Sequence, residues 1–122
     1  MLGPRQKQWV DALRSGKFVQ GTGSLQSFVG KDAEYCCLGV ACKVAEESDI
    51  PIVYDSGTEL YGGDLSAQPN VRSWFGFVGD NGKTSESIDR DLTFLNDDVG
   101  MNFSKIANYI EENADSIFTE PL

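Results

Sequence analysis

Tyr35-Cys36-Cys37-Leu38-Gly39-Val40-Ala41-Cys42-Lys43-Val44-Ala45, residues 35–45, decides how the rest of the chain is read. Leu38, Ala41, Cys42 and Ala45 recur at i, i+3, i+4 and i+7, the spacing that gathers apolar groups on one helical face. A buried helix is expected, ending near Ser48 before Pro51. Tyr35 to Cys37 closes the region before it, where Phe18-Val19 and Leu25 to Val29 are short apolar pieces. Gly21-Thr22-Gly23 and Gly30-Lys31-Asp32 interrupt those pieces, so two or three short strands are predicted, with a hairpin turn at the first glycine pair.

Outward from this centre, Pro4 suits a first helical turn, and Trp9, Val10 and Leu13 follow at near-helical spacing before Gly16. On the other side, Ile52-Val53-Tyr54 and Glu59-Leu60-Tyr61 flank the turn residues Asp55-Ser56-Gly57-Thr58, the pattern of an edge hairpin. Pro69, Val71, Trp74 and Phe75 predict a short helix stopped at Gly76. Asp80-Asn81-Gly82-Lys83 reads as a turn, and Leu92 to Asn96 as one helical turn. A last helix, capped by Asn102 or Ser104, carries Phe103, Ile106, Ala107 and Ile110 on one face. No repeat or linker divides the 122 residues. The expected architecture is α+β, a single domain spanning residues 1–122, with three to four helices packed on a small antiparallel sheet.

Charge is distributed unevenly. The net charge is -9, yet residues 1–43 hold six Lys or Arg against three Asp or Glu, and residues 44–122 hold four against sixteen. The overall sign opposes direct nucleic-acid binding, because phosphates must be neutralised by cations. No apolar run approaches the length of a membrane span, and no secretory core follows Met1, so a cytoplasmic protein without a membrane partner is expected. Three clustered cysteines form a poor disulfide framework, which agrees with that compartment.

The chain contains no histidine, which removes the commonest general base and the Ser-His and Cys-His nucleophile pairs. Cys37 stands at a predicted helix start, where a thiolate could be favoured. Cys42 falls on the apolar stripe, and cysteine is among the most often buried residues, so all three thiols are read as packing. Three sulfurs without a C-x-x-C pair or a His make a poor zinc site. The stretch from Asp80 lacks calcium-loop ligands, having Ser85 and Asp91 at its sixth and twelfth positions. Asp89, Asp91, Asp97 and Asp98 are read as a solvated acidic face. Trp9, Trp74 and Phe75 are read as core. No catalytic residue, metal or cofactor is expected.

One binding constellation stands out. Arg14 and Lys17 supply positive charge beside Gln20 and the Gly21-Thr22-Gly23 backbone, whose N–H groups could cradle a small anion such as a nucleotide-like ligand.

Two longer strings carry a resemblance: Trp9-Val10-Asp11-Ala12-Leu13-Arg14-Ser15-Gly16-Lys17-Phe18 with Gln20-Gly21, and Tyr35 to Cys42. Val71 to Gly76, Leu95-Asn96-Asp97 and Phe103 to Ile110 extend it. The sequence resembles a family of small bacteriophage and bacterial proteins of unassigned function. Phe75 departs from the Leu usual in that family, and residues 46–68 have little counterpart. The resemblance implies a phage-type accessory protein acting on a host process, and it brings no ligand or catalytic residue. A binding role toward a host protein is therefore expected, with a small anionic ligand as the alternative.

Overall fold

The computed structural model describes every residue except Ser56, Thr58 and residues 83–90. Helix α1 (Pro4–Arg14) begins on Pro4 and turns Gln6, Trp9, Val10 and Leu13 inward. Gly16, with φ of 76°, lets the chain leave it. Strands β1 (Gln26–Val29) and β2 (Asp32–Tyr35) form an antiparallel hairpin in the register Gln26↔Tyr35 to Val29↔Asp32. Helix α2 (Cys37–Glu47) follows at once, with every residue from Cys37 to Cys42 buried.

A second hairpin pairs β3 (Tyr54–Asp55) with β4 (Glu59–Leu60). A 3₁₀ turn at Leu65–Ala67 leads into α3 (Pro69–Phe75), which ends on left-handed Gly76. Helix α4 (Leu92–Asp97) is capped by the Asp91 carboxylate, which accepts from the Phe94 N–H at 2.7 Å. In α5 (Phe103–Glu112), Asn102 rather than Ser104 provides the cap, accepting from the Lys105 N–H at 2.9 Å. Helix α6 (Ala114–Ile117) closes the described chain with an isolated antiparallel bridge between Phe77 and Phe118. The fold is α+β in one small domain, with four longer helices and two two-stranded sheets among the described residues.

Trp9 lies at the centre, fully buried, with ring centroids of Phe75, Phe77 and Phe118 at 5.9, 5.3 and 6.2 Å. Its indole N–H donates to the Cys37 carbonyl at 2.9 Å, so the largest core side chain carries no unsatisfied donor. Trp74, read from sequence as core, sits at the margin instead. It is only partly buried, and the Arg5 guanidinium stacks 5.1 Å from its ring centroid. On so short a helix, Val71 and Phe75 share the inward face one turn apart, and Trp74 is left beside it.

Two other expectations change. Phe18-Val19 is not a strand, and Gly21-Thr22-Gly23 does not turn a hairpin. The chain passes β2 in a single parallel bridge, Gln20↔Tyr35, held by Tyr35 N–H to Val19 O and Gly21 N–H to Tyr35 O, both at 2.8 Å. A parallel pair cannot be joined by a tight turn, so residues 22–25 loop out before β1 begins. The turns at Asp55 to Thr58 and Asp80 to Lys83 fall partly outside the described residues.

Gly39 sets how closely α2 approaches this strand region. A Cβ there would lie 1.9 Å from the Leu25 carbonyl oxygen, whereas one at Gly16 would meet nothing within 4 Å. Gly39→Ala is expected to cost about 3 kcal/mol in urea unfolding, since neither backbone can give way. Gly16→Ala should cost about 1 kcal/mol, from its positive φ alone.

Candidate functional site

The polar centre of the molecule is Asn96, on α4 and only 1% exposed. Its Oδ1 accepts from the Cys37 backbone N–H at 3.2 Å and from Gln20 Nε2 at 2.9 Å. Its Nδ2 donates to the Gly21 carbonyl and to Asp97 Oδ1, at 2.9 and 2.8 Å. Gln20 Nε2 also donates to the Met101 carbonyl at 2.7 Å. The Asn96 amide thus ties the 19–21 segment, the start of α2 and α4, and through Gln20 the loop before α5. It also answers a local need: Cys36 is the N-cap of α2 but makes no side-chain cap bond, and Asn96 satisfies the first helical N–H in its place.

The thiols lie around this node. Cys36, Cys37 and Cys42 are free and buried, and Cys37 Sγ donates to the Leu92 carbonyl at 3.7 Å. Burial pushes the Cys36 thiol up to about 11, against which the N–H groups of Gly39 and Leu38 act only in part. Burial also raises Cys37 and Cys42, with Cys36 adding to it. The helix N-terminus that could have activated Cys37 is outweighed by desolvation of the charged form.

Of the residues expected to hold an anion, Arg14 reaches α5, donating to Asn108 Oδ1 at 2.6 Å and pairing with Glu111. Lys17 reaches α2, 3.4 Å from Glu47. The cleft beside Lys17, about 360 Å³, also contains Asp11 and includes neither Arg14 nor the glycines. Gln20 and Gly21 are committed to the Asn96 node, while Thr22 and Gly23 are exposed. Arg14, Lys17, Gln20 and Gly21 are therefore engaged with separate elements, and Thr22 and Gly23 stand exposed in the loop before β1.

In the acidic run, Asp91 caps α4 and Asp97 accepts from Asn96, while Asp89 and Ser85 lie outside the described residues. Among the described residues no group of three or more Cys, Asp or Glu is placed to hold a metal ion, and no helix is long and apolar enough to cross a membrane. A cleft of about 570 Å³ opens between the 3₁₀ turn, α3 and the segment after α6. Sequence reasoning missed it, because Arg72 and Asp80, eight residues apart, belong to no motif and Thr119 joins them only in the folded chain. Asn96 was visible only as part of a short Leu-Asn-Asp string, although its polarity between buried Leu92 and Leu95 and the core helix α5 was an available signal.

The architecture defines a small α+β domain pinned by buried amides. The chain belongs to the family described as Domain of unknown function (DUF8296), whose model matches residues 3–114. No curated protein and no solved structure matches it.

Asn96→Ala removes four hydrogen bonds and leaves the Cys37 N–H and Gly21 carbonyl buried without this partner. A loss of about 3 kcal/mol is expected in urea unfolding. The thiols should resist a disulfide reagent at pH 7.5 in the folded protein, all three reacting at once after denaturation. Because their folded values are raised, the stability they lend is complete below about pH 8.5, where the unfolded thiols still hold their protons. That contribution falls as pH climbs toward about 11, and unfolding midpoints between pH 7 and 10 will display the decline.

Proposed function

We propose that the protein is a phage-type accessory protein that acts in a host cytoplasm by binding a host protein. The observation that carries this reading is the outer half of the β1–β2 hairpin. There Phe28 and Val29 are 46% and 62% exposed. Consecutive strand residues point to opposite faces, so neither can shelter the other. On the adjacent β3–β4 side, Val53 and Tyr61 are exposed as well, joined by Tyr61 N–H to Val53 O at 3.1 Å. The two hairpins are neighbours through the Leu25 N–H to Gly62 O bond. Single exposed apolar residues are ordinary on a protein surface, but four on adjacent hairpins, two of them aromatic, have the composition of an interface core.

The surrounding charge favours a basic partner. Asp32 and Glu34 lie on β2, and Asp55 and Glu59 on the second hairpin; the cations beside them are Lys31 in the first turn and Lys43, which lies over the Tyr54 ring and pairs with Glu46. A rim of this sign would speed encounter with a positively charged protein surface and disfavour nucleic acid. The low reactivity expected of the buried thiols, in a chain without histidine, supports recognition over catalysis.

The test is a pull-down from bacterial host lysate with tagged wild type and with Phe28→Ser/Val29→Ser, both read by mass spectrometry. A partner retained by wild type and reduced at least tenfold by the double variant is expected, with thermal midpoints within about 2 °C, as befits surface substitutions. Equal retention by both proteins, or turnover of nucleotide, ester or amide substrates by the wild type, refutes the reading.

A further inference from the structure

From the cleft beside α3 we infer a second binding site, independent of the hairpins, for a small neutral polyhydroxylated ligand of monosaccharide size. Its volume of about 570 Å³ lies within the range of small-molecule sites, about 300–1,000 Å³. Leu65 and Phe77, both buried, form the base. The walls are polar: Arg72 and Asp80 on one side, and the hydroxyls of Ser66, Ser73 and Thr119 around the mouth.

The chemistry of the ligand follows from which hydrogen-bonding positions are already spent. Arg72 is oriented by two bonds, Nη1 to Asp80 Oδ1 at 2.9 Å and Nη2 to the Val78 carbonyl at 3.0 Å. A guanidinium has five N–H donors, so others remain for a ligand, and Asp80 keeps its second oxygen as an acceptor. Ser66 donates its hydroxyl hydrogen to Asp64 Oδ1 at 2.5 Å, and Thr119 donates to the Gly76 carbonyl at 3.3 Å. Both therefore turn lone pairs, not hydrogens, toward the opening.

This wall offers one fixed cationic donor set beside one carboxylate acceptor, with further acceptors around it. An anion would approach Arg72 only against Asp80, and an ammonium would approach Asp80 only against Arg72. Hydroxyl groups escape both penalties, because each donates and accepts. Neighbouring hydroxyls on one ring can accept from Arg72 and donate to Asp80 together. Arg72 and Asp80 are partly exposed, at 41% and 38% of their side chains, so they remain open to such a ligand without the ion pair being broken.

The experiment is a ¹H–¹⁵N shift titration of the full chain, up to 100 mM, with glucose, galactose, mannose, N-acetylglucosamine, ribose and myo-inositol. Inorganic phosphate and spermidine serve as the charged comparisons. Saturable shifts centred on Ser66, Arg72, Ser73 and Thr119 are expected with at least one polyol, at millimolar Kd. Ser73→Phe, an exposed position whose new ring fills the mouth, should abolish them while leaving the rest of the spectrum in place. Arg72→Leu should weaken binding at least tenfold. If Arg72→Leu does not fold, the Ser73→Phe result decides. No saturable shift with any polyol, saturation by phosphate or spermidine alone, or shifts that survive Ser73→Phe would overturn the assignment.

Discussion

Where the 19–21 segment, the first turn of α2, helix α4 and the loop before α5 converge, two side-chain amides bridge the gap: Asn96 bonds the Cys37 N–H and the Gly21 carbonyl, and Gln20, itself bonded to Asn96, holds the Met101 carbonyl. The constraint is physical. A buried N–H or C=O that has left water must find a partner or cost about 1–3 kcal/mol, and an amide is the one uncharged side-chain group that supplies both donors and an acceptor at fixed geometry. Asn96 supplies two of each kind of bond, all within 3.2 Å. Position of α2 relative to the β1–β2 hairpin then follows, because Gly39 allows the helix backbone to rest on the Leu25 carbonyl.

The same solution recurs. Gln6 bonds the carbonyls of Phe75 and Glu120, Gln26 takes the Leu60 N–H, and Gln68 bridges both backbone groups of Val53 and the Tyr61 carbonyl. With Asn96 these are the buried polar residues among those described, and no buried side-chain nitrogen or oxygen there lacks a partner. Two two-stranded sheets provide few ladder bonds, and small hairpins are marginal by themselves. Amides reaching from helices and strand ends into irregular backbone make up the shortfall. Gln68 in particular holds the strands of the β3–β4 hairpin from the start of α3.

This construction divides the molecule into an inert interior and an unusual exterior. Cys36, Cys37 and Cys42 are packed where desolvation keeps them protonated, and Arg14 and Lys17 are engaged with carboxylates on α5 and α2. Among the outward features are the apolar side chains of the two hairpins and the hydroxyl-lined cleft beside α3.

Much of this was legible in the chain. The 3.6-residue spacing of Trp9, Val10 and Leu13, of Leu38 to Ala45 and of Phe103 to Ile110 located the three main helices, Gly30-Lys31-Asp32 marked a break between strands, and Gly57 marked the second hairpin. Periodicity is a local signal, fixed by each element's need to bury one face. Read locally, Gly21-Thr22-Gly23 became a hairpin turn, and the same backbone with Arg14, Lys17 and Gln20 an anion site. Tertiary structure removed the hairpin turn and gave Arg14, Gln20 and Gly21 partners that lie 14 to 97 positions away along the chain. The Asn96 node, and the cleft that brings Thr119 to the Arg72–Asp80 pair, exist only once distant segments have met. Hydrogen bonds between sites that far apart leave no period in the sequence, since nothing about either residue's neighbours depends on the other.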